Sequence, residues 1–230
     1  MPILHVTKDA GATVKPGPMV SAAPAQQTDD AALAPVAAGS GLNAPFVADV
    51  LSMSVTHERD GVQLYTALGA MTANPMLSGA FTGFRQDTLR SVDVYETLIA
   101  RAGGSSLYAS PAARMTEAMD AQLLQTFLKS GSADPLTLDM TMVDAVLTAT
   151  MVCVANTELL FDLAEAADEG DAKAAMLDAA GQLGPPQRER LEWARATRRT
   201  MAMGQASHPF VQKAVRAVEG VAAKVKDTLS

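Results

Sequence analysis

Six polar residues recur at helical spacing inside otherwise apolar patterns, and they are the side chains of this sequence that could do chemistry together. Glu58 stands three residues after Val55 and seven before Tyr65, while Glu158 stands four after Val154 and three before Phe161. Asp87 and Arg90 interrupt the stripe formed by Phe81, Phe84, Tyr95, Leu98 and Ala102, and Gln187 with Arg190 repeats that interruption further on. A carboxylate on a buried helix face has three outcomes: it ligates a cation, pairs with a guanidinium, or takes up a proton. Glu58 and Glu158, Asp87 and Gln187, and Arg90 and Arg190 are each 100 residues apart. The shared offset predicts two duplicated helical hairpins with a polar layer at the same height in each. Ser91, Tyr65 and Tyr95 lie close enough along these stripes to serve as accessory hydrogen-bonding groups.

Positioning such a layer takes long helices, and the sequence marks them. Val47, Leu51, Val55, Val62, Tyr65 and Leu68 define a first helix from Ala44 to the break at Asn74-Pro75. A second runs from Pro75 to Arg101 and closes at Gly103-Gly104, as a left-handed helix cap requires. The following stretch is a long crossover with a shorter helix from about Pro111 to Lys129. Asp134-Pro135 opens a third long helix, whose expected core stripe is Met140, Val143, Leu147, Met151, Val154 and Phe161. A fourth begins near Asp171 and is expected to kink or restart at Gln187, because Pro185 and Pro186 lack backbone donors. The expected architecture is all-α: an up-down four-helix bundle over residues 44–204, made of two hairpins joined by that crossover. Residues 1–43, rich in Ala and Pro without period, read as a flexible arm. Residues 205–230 read as an amphipathic helix, with Val211, Val215, Val218, Ala222, Val225 and Leu229 alternating four and three apart. Its apolar seam either packs on its own bundle or meets another chain, the latter being the expected route to a homo-oligomer or a protein partner.

Composition narrows the function classes. A net charge of -7 and the absence of a basic cluster argue against nucleic acid. Pro35, Gly39, Gly41 and Pro45 break the uncharged stretch 31–48, and Glu219 with Asp227 dilutes the basic tail, so no membrane association is expected. The single cysteine, Cys153, excludes an intrachain disulfide and fits a reducing compartment, and with no secretory pattern at the start the expected location is cytoplasmic. Neither a Gly-x-Ser-x-Gly elbow nor a glycine-rich phosphate loop supports a nucleophilic hydrolase.

A glutamate on the first helix of each hairpin, and an acid followed one turn later by a histidine on the second, is the ligand pattern of the ferritin-like di-iron and di-manganese carboxylate bundles. The segments VTHERDGVQLYTALG, FRQDTLRSVDVYETLIARAGG and NTELLFDLAEAADEGD resemble sequences of that superfamily in apolar spacing and hairpin ends. The resemblance implies that Glu58 and Glu158 match the family glutamates, and that Asp87-x-x-Arg90 and Gln187-x-x-Arg190 stand where Glu-x-x-His is usual. With the register slipped by one, Thr88 and Ser91 take the places in the second helix. Neither histidine is present, and arginine has no lone pair to offer a metal. The expectation is therefore a degenerate site without a cofactor, filled by an ion-pair network of Glu58, Asp87 and Glu158 with Arg90 and Arg190. In the alternative the arginines snorkel outward. His57, about 100° around the helix from Glu58, is expected at the surface or a helix interface. The implied function is a non-catalytic binding, scaffold or stress-associated protein. The alternative is a di-iron or di-manganese oxidoreductase or iron-handling protein, with iron or manganese on Glu58, Asp87 and Glu158 and with Tyr65 and Tyr95 as redox-active groups.

Overall fold

The computed structural model describes residues 23–26, 28, 30–129 and 134–207, and among these every regular element is helical. A short 3-10 turn at Pro24–Gln26 precedes α1 (Asp30–Leu33), α2 (Ala44–Met71), α3 (Pro75–Arg101), α4 (Pro111–Lys129), α5 (Pro135–Ala166) and α6 (Asp171–Ser207). Three of the long helices start the same way: Asn43, Asn74 and Asp134 turn a side-chain oxygen onto the free amides of the first turn, with a proline at its first or second position. The cap satisfies donors that the helix cannot, and proline occupies a place where no donor is needed.

Short turns after α2 and α5 make α2–α3 and α5–α6 antiparallel hairpins, and these two pack side by side, α3 on α6 and α2 on α5. Thr72 bonds Asp139 and Tyr65 meets Thr150, so α2 and α5 are antiparallel. Phe81 meets Trp193 and Arg101 meets Asp178, so α3 and α6 are antiparallel as well. After α3 the chain must travel back along the molecule before starting α5, and α4 makes that crossing against α2. Its entry is pinned by Ser52, which donates to the Tyr108 carbonyl at 2.6 Å and accepts from the Ser110 amide at 3.0 Å.

Two expectations about boundaries change. Part of the expected flexible arm belongs to the fold: Leu33, Val36 and Ala37 are buried in the core at the end of the bundle, and the Ala37 amide bonds the Ala102 carbonyl at 2.8 Å. A composition rich in Ala and Pro hid three apolar residues that cover that end. Residues 1–22 lie outside the described residues, as does the C-terminal helix expected over 205–230 from residue 208 onward. The expected restart at Gln187 does not occur, and α6 is continuous through Pro185 and Pro186. The carbonyls deprived of donors are those of Gly181 and Gln182, both exposed, so water can bond them.

Gly103 has φ +80°, and a Cβ there would lie 3.0 Å from the Pro35 carbonyl oxygen, which is part of the loop covering the bundle end. Gly103→Ala is expected to lower stability by about 1–2 kcal/mol, the cost of a left-handed L-residue. Gly79→Ala, in the exposed interior of α3 with nothing near its added Cβ, is expected to raise it by about 0.5–1 kcal/mol. Urea unfolding of the two variants beside the parent measures both.

Candidate functional site

The apolar core falls into two clusters, one around Val47, Leu51, Leu98, Leu160 and Leu183, the other around Leu68, Phe81, Met142 and Val146. Between them lies a buried polar belt. Glu58 and Arg190 are each 2% exposed and Gln187 is 0% exposed; Thr88, Ser91 and Thr157 are buried with them. Gln187 is the centre of the belt: its amide nitrogen donates to Glu58 Oε1 at 2.9 Å, and its oxygen accepts from Thr157 Oγ1 at 2.7 Å. One turn along α6, Arg190 donates to Thr88 Oγ1 at 3.0 Å and to the Tyr65 hydroxyl at 3.2 Å. The guanidinium carbon lies 5.1 Å from the Tyr65 ring centre and 5.5 Å from that of Phe84, so aromatic faces supply part of the compensation that a carboxylate would give.

The structure gathers Glu58, Gln187 and Arg190 from the expected set and disperses the rest. Glu158 is exposed, and Thr157 holds the core position beside it. Arg90 is exposed and pairs with the half-buried Asp87 one turn away on α3, while Thr88 and Ser91 face the core. The buried polar residues Glu58 and Thr157, Thr88 and Gln187, and Ser91 and Arg190 are each 99 residues apart, where the expected set had an offset of 100. The expected ion-pair network is not formed: among the described residues no ion pair joins Glu58 to an arginine, and Gln187 bonds the carboxylate instead. The snorkelling alternative describes Arg90 and not Arg190.

Among the described residues Glu58 Oε2, the Tyr95 hydroxyl and two guanidinium nitrogens of Arg190 have no hydrogen-bond partner. Burial raises the Glu58 pKa, and the neighbouring positive charge of Arg190 works against that rise. Burial likewise raises Tyr65 and Tyr95, so neither phenol ionises near neutrality. A di-metal centre in a helical bundle draws on several carboxylates and imidazoles; this belt offers one carboxylate, an amide, hydroxyls and a cation. Among the described residues no group of three His, Cys, Asp or Glu side chains is placed to hold a metal ion. The donor set Glu58, Asp87 and Glu158 is not brought together, and a metal does not fit the residues present.

Of the two places expected for His57, the surface or a helix interface, the structure gives the second: it is buried at the junction of α2, α4 and α5. Nδ1 meets Asp120 Oδ2 at 2.7 Å and Nε2 meets the Ala149 carbonyl at 2.9 Å. Both partners are acceptors, so both ring nitrogens carry protons and the ring is an imidazolium. Burial alone would lower its pKa, but anionic charge at Cys153 and Asp120 and their hydrogen bonds push it up to about 12. The Cys153 thiol is itself raised by burial. Beside this pair a cleft of about 210 Å³ opens between α2 and α4, with Asp60, Glu117 and Asp120 on its walls. There burial, then the charges of Asp120 and Glu117, raise Asp60 to about 7. Sequence reasoning missed this cluster, although His57 and Asp60, like Glu117 and Asp120, are spaced one turn apart.

No protein family, curated protein or solved structure matches the chain.

Gln187→Leu strips the Gln187 hydrogen bond from the buried Glu58 and should cost about 2–3 kcal/mol or more, whereas Glu158→Ala and Arg90→Ala should each stay within about 0.5 kcal/mol. Denaturant midpoints of the three variants distinguish an offset of 99 from one of 100. His57 gives a pH signature. Its folded pKa lies above the unfolded value, so its contribution is complete below about pH 6.5 and is lost as pH rises toward 12. The parent should therefore lose stability between pH 7 and 10 relative to His57→Gln, read as the difference in urea midpoint at each pH.

Proposed function

We propose that this chain is a ferritin-like bundle in which the place of the two metals is taken by a hydrogen-bonded belt, and that it acts as a non-catalytic binding or scaffold protein, in a reducing compartment such as the cytoplasm. The observation that carries this reading is the belt itself: at the height where such bundles place acids and histidines, this chain places Gln187 between Glu58 and Thr157, with Arg190 one turn on. The order of helices supports it, since two antiparallel hairpins joined by a crossover that runs the length of the bundle is the connectivity of that superfamily. At the offset of 99 the family pattern falls on Glu58, Thr88-x-x-Ser91, Thr157 and Gln187-x-x-Arg190. One of six positions retains a ligand. Stress association fits the same reading and has no separate observation behind it.

The oxidoreductase alternative needs Asp87, half-buried and paired with Arg90 on α3, and Glu158, exposed on α5, so we do not favour it. The test is metal content and oxidase activity of protein purified without chelator. Well under one equivalent of iron or manganese per chain and no iron oxidation are expected. About two equivalents, the stoichiometry of a di-metal bundle, would overturn the proposal.

A further inference from the structure

Two buried ionisable groups of the belt come near each other without forming an ion pair. Arg190 spends Nη1 on Thr88 and the Tyr65 hydroxyl, while Nε and Nη2 have no hydrogen-bond partner among the described residues. In a planar guanidinium these two nitrogens share one edge, the fork that grips a carboxylate. Gln187 occupies Glu58 Oε1, and Oε2 of the same buried carboxylate is likewise unpartnered among the described residues. Gln187, which holds Glu58, lies one turn from Arg190 on α6, and the Arg190 charge is the strongest influence holding the Glu58 pKa down against burial. Between the levels of Glu58 and Tyr65, α2 turns Gly61 toward Thr88 and so brings no side chain there. Leaving such donors and acceptors buried and unmet costs about 1–3 kcal/mol each, and more where the group is charged.

We propose that the belt binds one ordered water, which accepts from the Nε–H and Nη2–H fork of Arg190 and donates to Glu58 Oε2. The chemistry of the two groups selects that ligand. A cation is repelled by a guanidinium that cannot lose its proton. An anion is repelled by the Glu58 carboxylate and offers Oε2 no donor. A neutral molecule that accepts on one side and donates on the other satisfies both, and water is the smallest that does. Its three bonds are about the number that a buried water makes. It adds to the side-chain bonds of the belt and replaces none of them. Glu58 of α2 and Arg190 of α6 thereby become a water-bridged pair, as polar groups too far apart for a direct bond commonly do. The site is independent of any kinship with metal-binding bundles, because it rests only on these two side chains.

Two measurements on the full chain test this. A high-resolution crystal structure should show a water within about 3.2 Å of Arg190 Nε, Arg190 Nη2 and Glu58 Oε2. Oxygen-17 relaxation dispersion counts long-lived internal waters in solution. Combining Glu58→Met, Gln187→Met and Arg190→Met makes the same space apolar, and an apolar space stays dry, so this variant should lose one water equivalent relative to the parent. A direct contact between the Arg190 fork and Oε2 in the crystal, with no density between them, would overturn the proposal. So would an ordered ion in that position, or an equal water count in parent and variant. Should the variant fail to fold, the crystal structure of the parent decides by itself.

Discussion

The structure depends on keeping one buried guanidinium compensated. Arginine cannot shed its proton, so burying Arg190 between two apolar clusters commits its surroundings. Thr88 and the Tyr65 hydroxyl accept from it, the Tyr65 and Phe84 faces lie against it, and Glu58 is the buried carboxylate whose field it feels. Glu58 in turn is bonded by Gln187, and Gln187 by Thr157. Each of the four long helices contributes at least one member. A buried network has value only if its members find each other, so the belt fixes the heights at which α2, α3, α5 and α6 face one another more strictly than apolar packing would.

The helix junction at His57 applies the same principle on one side of the bundle. A buried imidazolium held by Asp120 of α4 and the Ala149 carbonyl of α5 ties the crossover to the helices it must pass. In the neighbouring cleft burial, with the charges of Asp120 and Glu117, holds Asp60 up at about 7. The two charged clusters differ in kind. Among the described residues Arg190 is buried without an ion pair, while His57 has a short bond to a carboxylate that reaches the surface.

The element map was legible because the signals were local: Asn74-Pro75 and Asp134-Pro135 begin helices in the structure as in the sequence, and Gly103 ends one with positive φ. The height of the polar layer was legible too, since Glu58, Gln187 and Arg190 were identified from spacing. Its register was not. α5 has two apolar stripes, and the one chosen as the core, through Met140, Leu147, Met151 and Phe161, lies largely on the outside. Glu158 belongs to that stripe, which drew it into the layer and set the offset at 100. On α3 the charged pair Asp87 and Arg90 stood out over Thr88 and Ser91, although hydroxyl groups are cheaper to bury than charges. The burial of Leu33 and Val36 depends on the end of α3, and no local pattern reports such a contact.

The central claim is that the belt is closed by the chain's own hydrogen bonds and not by a metal. Side-chain NMR of Gln187 and Arg190 during titration with Mn²⁺ tests it most directly, because a paramagnetic ion bound at Glu58 would broaden the signals of its neighbours. The account predicts slowly exchanging Gln187 amide and Arg190 guanidinium protons that stay sharp when metal equals protein. Loss of those signals at substoichiometric Mn²⁺ would contradict it.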